Sequence, residues 1–187
     1  MNTHAPTLQH ARIALIALSA ALWWPAQAAS PEPTAVAALQ GKAEVGKGLL
    51  KVWGFEVYDA SLWAAPGFDA QRFPQQRLGL ELHYLRKFDG ADIAQRSVDE
   101  MNAIAPLEPA TAQRWQQAMS QLFPNVKPGD RILGVHQPGE GAHFYLNGQL
   151  LGAIADPTFS TRFFGIWLSP KTSQPRLRDA LIAQSRR

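Results

Sequence analysis

Cysteine is absent from this 187-residue sequence. Its absence excludes a disulfide framework, a cysteine-ligated zinc site, an iron–sulfur cluster and a catalytic thiol. Charged residues make up only 18% of the chain, and the formal net charge of +3 is dispersed, which argues against a nucleic-acid partner. Hydrophobic residues make up 46% and aromatic residues 10%, and this composition is typical of a globular domain with a packed core.

The N-terminus carries the pattern of a secretory signal. Arg12 supplies a positive charge, residues 13–24 form an apolar run, and Ala26-Gln27-Ala28 supplies the small residues of a cleavage site. The run is shorter than the ~20 residues that a membrane span needs, although an uncleaved N-terminal anchor is the alternative. We therefore predict a signal peptide over 1–28, a periplasmic or secreted location, and no stable membrane span after cleavage.

After the signal, the sequence predicts a loose proline-rich leader over 29–40 and one domain over 41–187. β-Branched and aromatic residues, polar–apolar alternation and turn signals predict strands over 42–51, 55–64, 78–86, 130–137, 142–146 and 149–155. Apolar residues at steps of three and four, bounded by prolines, predict helices over 89–104, 109–123 and 157–168 and a last helix from Ser173. Runs of strands and runs of helices predict an α+β protein with an antiparallel sheet.

Four segments, in this order, resemble chalcone isomerase-like proteins: GLLKVWGFEVYDASLW (48–63), FPNVKPGD (123–130), FYLNG (144–148) and FFGIWL (163–168). With the tail 172–181, the resemblance covers about residues 41–182. The sequence is similar to the bacterial, exported branch of the family. It implies an open-faced sandwich, in which a curved antiparallel sheet carries helices on one face and a ligand cleft lies between the layers. Within the family, plant enzymes close a flavanone ring, and related members without that activity bind fatty acids.

The resemblance also implies roles for particular positions. The fatty-acid-binding members use a tyrosine and an arginine on the first two strands, and these positions correspond to Tyr58 and, at or beside the arginine, to Lys47. The catalytic tyrosine, asparagine and threonine of the isomerases correspond to Ile93, Glu100 and a position near Gly165. Isoleucine and glycine side chains donate no hydrogen bond, so the resemblance favours binding over ring closure.

The sequence also predicts a group of polar side chains at the mouth of an apolar groove. In the strand 78–86, Tyr84 and Arg86 share the face of the alternating leucines, and Lys47 is expected near Tyr58 across the first hairpin. We predict that Lys47, Tyr58, Tyr84 and Arg86 bind the head group of a fatty acid or similar amphipathic carboxylate, without catalysis and without a cofactor or metal. In the alternative interpretation without a ligand, the tyrosines are core residues with satisfied hydroxyls, and Lys47 and Arg86 extend to solvent at the edge of the groove.

Three further alternatives stay open from the sequence. Tyr58, Tyr84 and Arg86 could serve an intramolecular lyase or isomerase as donors to a developing oxyanion, or the cleft could be filled in an interaction module. A four-residue turn would pair His136 with His143 as an exposed pair, or as a metal site with Glu140. Arg96, Ser97 and Glu100 could reach over the cleft, although residues four apart on a helix usually form a surface ion pair.

Overall fold

The computed structural model describes Met1 and residues 34–186. The predicted signal peptide, apart from Met1, and the start of the predicted leader lie outside the described residues. Among the described residues, no helix combines the length and the apolar character needed to cross a bilayer.

A six-stranded antiparallel sheet forms the framework of the described residues, and its strands lie side by side in chain order. Short hairpins join the first strand to the second, the fourth to the fifth and the fifth to the sixth, while longer segments join the other antiparallel neighbours. Trp53-Gly54 and Asn147-Gly148 make two of these hairpins with positive φ at both residues. The strands are β1 (Ala43–Val52), β2 (Phe55–Ala64), β3 (Leu78–Tyr84), β4 (Arg131–Gln137), β5 (Gly141–Leu146) and β6 (Gln149–Ile154).

Among the described residues, all the α-helices except the first pack against one face of this sheet, which we call the inner face. Proline occupies the first turn of three of them, where its missing N–H costs no helical hydrogen bond. Asp156 caps one of these by accepting from the backbone N–H groups of Thr158 and Phe159. The helices are α1 (Ala35–Ala38), α2 (Gly90–Ile104), α3 (Pro109–Leu122), α4 (Pro157–Leu168) and α5 (Pro175–Leu181). The predicted α+β class and antiparallel sheet are confirmed.

The main core lies between the inner face and α4. Phe159 and Phe164 of α4 are fully buried, and they lie with Phe163 around Phe144 of β5 and the leucines of β3. Interlocking aromatic rings of this kind stabilise a core through both buried area and edge-to-face contacts. They also hold α4 at a fixed height above the sheet.

The outer face is covered in part by α1, which differs from the predicted loose leader. Ala38 is 6% exposed, and it packs with Leu133, Val135 and Tyr145 of the sheet. The leader prediction missed this contact because a single helical turn is too short to show an apolar period. Residues 35–39 are therefore part of the domain rather than a linker.

The predicted histidine pair is wrong, because the β4–β5 turn has three residues instead of four. Gln137 pairs with Gly141 and His136 with Ala142, so that His136 points to the inner face and His143 to the outer face. His136 is 1% exposed, and its two nitrogens meet the Ser160 hydroxyl at 2.6 Å and the Pro74 carbonyl at 3.0 Å. The rings can therefore form neither an exposed pair nor a shared metal site. No cluster of three metal-ligating side chains occurs in residues 34–186.

His136 is expected to make stability depend on pH. Burial lowers the pKa of His136 below the ordinary ~6.5, so the folded protein keeps the ring neutral while the unfolded chain takes up a proton. Because the unfolded state then binds more protons, the free energy of unfolding should fall as pH drops below about 6.5, by up to ~1.4 kcal/mol per pH unit. Urea unfolding at pH 5 to 7.5 measures this slope. It should flatten in His136→Gln and persist in His143→Gln; equal slopes in wild type and His136→Gln would refute the assignment.

Candidate functional site

An open cavity of about 560 Å³ lies between the inner face and α2 and α4. Its volume falls within the roughly 300–1,000 Å³ range of small-molecule sites. The wall is mostly apolar and includes Leu50, Val52, Trp53, Val57, Leu82, Phe88, Ile93, Phe123, Ile132, Phe163, Ile166 and Trp167. The polar lining consists of Tyr58, Tyr84, Asp92, Arg96, Ser97, Glu100, Ser173 and Gln174. Such open space argues against a cleft filled by the protein's own side chains.

Two tyrosines sit side by side on the sheet wall of this cavity. Tyr58 of β2 is paired directly with Tyr84 of β3, and their rings meet edge to face with centroids 6.0 Å apart. The indole Nε1–H of Trp167 donates to the Tyr58 hydroxyl at 2.9 Å. The Tyr58 oxygen therefore accepts this hydrogen bond, and the hydroxyl proton remains available to donate to a ligand.

Both tyrosines are neutral donors. Burial raises the pKa of Tyr58, and this effect is larger than the lowering caused by the Trp167 hydrogen bond. The negative charge of Glu100 raises the pKa further. Burial also raises the pKa of Tyr84, with Tyr58 adding to the effect. Neither phenol ionises near neutral pH, so the pair can donate hydrogen bonds but cannot act as a phenolate nucleophile.

Helix α2 forms the polar part of the opposite wall. Arg96 donates through Nη2 to Glu100, whose side chain is 11% exposed, while that of Arg96 is 70% exposed. Ser97, which also lines the cavity, donates to the Ile93 carbonyl of its own helix at 2.8 Å, and its hydroxyl oxygen can still accept a hydrogen bond. Arg96 and Glu100 thus form an ion pair as predicted, but at the cavity wall rather than only on the surface.

Lys47 does not reach the cavity. A regular two-residue hairpin at Trp53-Gly54 would pair it with Ala60, on the same face as Tyr58. The register shifts by one residue between Leu50 and Lys51, so Lys47 pairs with Ser61 and Leu50 takes the place beside Tyr58. One extra residue in a strand moves every later side chain to the other face. Lys47 is consequently exposed on the outer face, and the predicted convergence of Lys47 with Tyr58 is wrong.

Arg86 also lies outside the cavity wall. Strand β3 ends at Tyr84, and the exposed Arg86 places its guanidinium over the ring of Phe55, 4.9 Å from the centroid. The four predicted site residues therefore separate into two on the wall, Tyr58 and Tyr84, and two elsewhere. The cation on the wall is Arg96. The sequence signal for this wall was the presence of Ser97 and Glu100 in the apolar stripe of α2.

Two of the three positions that the resemblance relates to the catalytic residues of the isomerases belong to the cavity lining. Ile93 and Glu100 both line the cavity, whereas Gly165 lies on α4 outside the lining. An aliphatic side chain therefore stands at the place implied for the catalytic tyrosine. The cavity wall offers donors for a polar group, without a nucleophile at that position.

An antiparallel sheet covered on one face by helices, with an apolar cavity between the layers, defines an open-faced β-sandwich that encloses a ligand-sized space. Comparison with known sequences gives the family. The chalcone isomerase-like family model matches residues 44–183, so the chain belongs to the chalcone isomerase-like family.

One protein with a similar sequence and one with a similar structure illustrate the similarity. A Haemophilus influenzae protein described as uncharacterized is 27% identical over 135 residues, which cover 72% of this chain and 65% of that protein's length. A fatty-acid binding protein of Arabidopsis thaliana has a similar structure, with a TM-score of 0.59, 11% identity, and coverage of 78% of this chain and 89% of that chain. At this identity the second likeness establishes the fold, including the open-faced sandwich.

Proposed function

We propose that the protein is exported to the periplasm and there binds a fatty acid or similar amphipathic carboxylate in the cavity, without catalysis. The observation that carries the proposal is an open apolar cavity whose wall presents two adjacent, neutral tyrosine hydroxyls. An apolar wall takes the acyl chain, because removing its surface from water contributes ~25 cal/mol per Å². The fold neighbour named as a fatty-acid binding protein supports the same ligand class.

The head group is assigned to the tyrosine side of the cavity. A phenol O–H that donates to a carboxylate forms a charge-assisted hydrogen bond, which is stronger than a neutral one. Arg96 adds positive charge from the helix wall, and its five N–H donors exceed what its bond to Glu100 uses. A carboxylate bound between Tyr58, Tyr84 and α2 therefore finds donors from both layers.

Tyr84→Phe is the sharpest test, because no described residue hydrogen-bonds its hydroxyl and the substitution leaves no protein partner unpaired. We expect fatty-acid affinity to fall about tenfold or more, since a hydrogen bond to a charged group contributes ~1.5–3 kcal/mol. Isothermal titration of delipidated protein with palmitate measures the loss, and native mass spectrometry identifies any lipid that co-purifies.

Two substitutions serve as matched controls. Tyr145→Phe removes a hydroxyl from a tyrosine in the outer-face cluster, and Lys47→Ala removes a cation from the outer face. Both should leave palmitate affinity unchanged. Wild-type protein that neither carries nor takes up an amphipathic carboxylate, or Tyr84→Phe that binds as well as Tyr145→Phe, would overturn the proposal. Fractionation of cells tests the export.

An intramolecular lyase or isomerase acting on an unsaturated carbonyl compound is the second candidate. The specific observation in its favour is the same tyrosine pair, because two neutral donors in a buried site can stabilise a developing enolate oxygen. Arg86, the third donor suggested by the sequence, does not line the cavity. Turnover of a chalcone-type substrate that disappears in both Tyr58→Phe and Tyr84→Phe would support this candidate over simple binding.

A further inference from the structure

The tip of the β1–β2 hairpin is unusually apolar for a solvent-exposed turn. Trp53 is 95% exposed and Phe55 59% exposed, while the neighbouring Val52 is 36% exposed. These side chains are absent from the core clusters of the described residues. Exposed apolar patches that contain aromatic rings mark surfaces that meet another apolar phase or partner.

Folding does not explain a tryptophan at this turn. Trp53 and Gly54 have φ values of +49° and +84°, and Asn147 and Gly148 of the β5–β6 hairpin have nearly the same values, +50° and +91°. A turn with positive φ at both residues favours asparagine or aspartate before glycine, as the second hairpin has. Trp53 at the first position has an unfavourable backbone conformation, and its apolar side chain is also almost fully exposed to water. Its presence therefore indicates a role outside the fold.

The apolar tip continues into the cavity. Val52 and Trp53 belong both to the exposed hairpin and to the cavity lining. A long-chain ligand that moves between this cavity and the outside thus has an apolar path along the hairpin. This path would save its acyl chain from crossing open water if the tip were seated in an apolar phase.

Unpaired cations flank the tip. Arg86 lies over the ring of Phe55, and Lys87 follows it; both are exposed, and neither forms an ion pair with a described residue. Lys51 is paired with Glu56 at 2.9 Å. Within residues 51–56 and 85–87, three cations thus accompany one carboxylate, and the exposed Asp89 and Asp92 follow at the start of α2. Aromatic rings beside basic side chains fit the interface of an anionic bilayer, in which rings reach the headgroup level and cations meet lipid phosphates.

We infer that the β1–β2 tip docks on an anionic lipid bilayer and turns the cavity mouth toward the lipid, so that the ligand exchanges directly with the membrane. This inference rests on the proposed lipid binding. The occupant is a lipid surface rather than a protein, because exposed aromatic and aliphatic side chains beside cations without ion-pair partners match the headgroup level of an anionic bilayer.

The test uses sedimentation of the purified protein with vesicles of phosphatidylethanolamine and phosphatidylglycerol, compared with pure phosphatidylcholine vesicles. Phe55→Ser should weaken binding to the anionic vesicles about tenfold, and Lys87→Gln about fivefold. Val36→Ser is the matched control, since Val36 is an exposed apolar residue on α1, and it should have no effect. Fluorescence quenching by brominated lipids should occur in the wild type and diminish in Trp53→Phe.

Palmitate titration without vesicles separates this inference from the proposed function. Neither Phe55 nor Lys87 lines the cavity, so their variants should bind soluble palmitate as the wild type does. Wild type that binds palmitate but ignores anionic vesicles would overturn docking and leave the binding function intact. Dimers that Phe55→Ser converts to monomers would also overturn it in favour of a second copy at the tip. Vesicle binding without palmitate binding would refute membrane exchange of the ligand together with the binding function.

Discussion

Ser97→Trp is expected to weaken binding of long-chain fatty acids strongly while the fold stays intact. Ser97 is 6% exposed, it lines the cavity from α2, and its hydroxyl is bonded only to a carbonyl of the same helix. An indole at this position projects into space that the ligand needs, and it leaves no polar partner unsatisfied. We expect an affinity loss of roughly 100-fold, because overpacking of a filled site costs ~1–3 kcal/mol and sometimes more.

Gln95→Trp is the control for the same side chain on the same helix. Gln95 is exposed on the solvent side of α2, where it contacts Asp99 and Gln116. Titration with palmitate should give wild-type affinity for Gln95→Trp, and thermal unfolding should show both variants folded. Undiminished palmitate affinity in Ser97→Trp would place the ligand outside this cavity.

The sequence was sufficient for most of the elements because their signals are local, although it missed α1. Alternation along 78–84 correctly predicted the shared face of Leu78, Leu80, Leu82 and Tyr84, and the burial of the strand follows that pattern. The proline and glycine boundaries placed both ends of α2, α3 and α4 and the start of α5 close to their positions in the structure, in which α5 ends at Leu181. The family resemblance then supplied the layer arrangement, which no local pattern contains.

The site was harder to predict because the strand register decides which side chains face the cavity. A single register shift between Leu50 and Lys51 moves Lys47 to the outer face. No residue type near Val57 gives a sequence signal for this shift. A one-residue difference in turn length similarly separated His136 from His143. Side chains on opposite faces of a sheet cannot share a ligand, so errors of one residue remove a site even where every strand is correct.

Arg96 illustrates the opposite case, in which the sequence held the signal. An arginine and a glutamate four residues apart usually form a surface pair. Here Glu100 belongs to the buried stripe of α2 together with Ala94 and Ser97, so the pair extends from the cavity wall to solvent. Polar residues inside an apolar stripe are the observation that distinguishes a lined cavity from a dry core.

Gly46→Ala is expected to be among the most destabilising single substitutions in the domain. Gly46 of β1 lies beneath α5, and a Cβ there would come within 2.3 Å of the Ala180 carbonyl oxygen and 2.5 Å of that of Leu181. Backbone atoms cannot rotate away as side chains do, so α5 would have to move off the sheet. We expect a loss of about 3 kcal/mol, equivalent to a fall in Tm of about 10 °C, measured by urea and thermal unfolding.

Gly48→Ala provides the comparison two residues along the same strand. Its Cβ would lie 2.8 Å from Leu177 Cδ1 and 3.0 Å from Ala180 Cβ, with no backbone atom nearer than 3.8 Å. The substitution should therefore cost less than Gly46→Ala, because the Leu177 side chain can turn aside. Equal losses for the two glycines would refute the backbone contact as the cause. Ser173 and Gln174, just before α5, line the cavity, so the Gly46→Ala protein should also bind palmitate more weakly than its remaining stability explains. Docking of α5 on two glycines of the edge strand thereby connects the closure of the cavity to the stability of the fold.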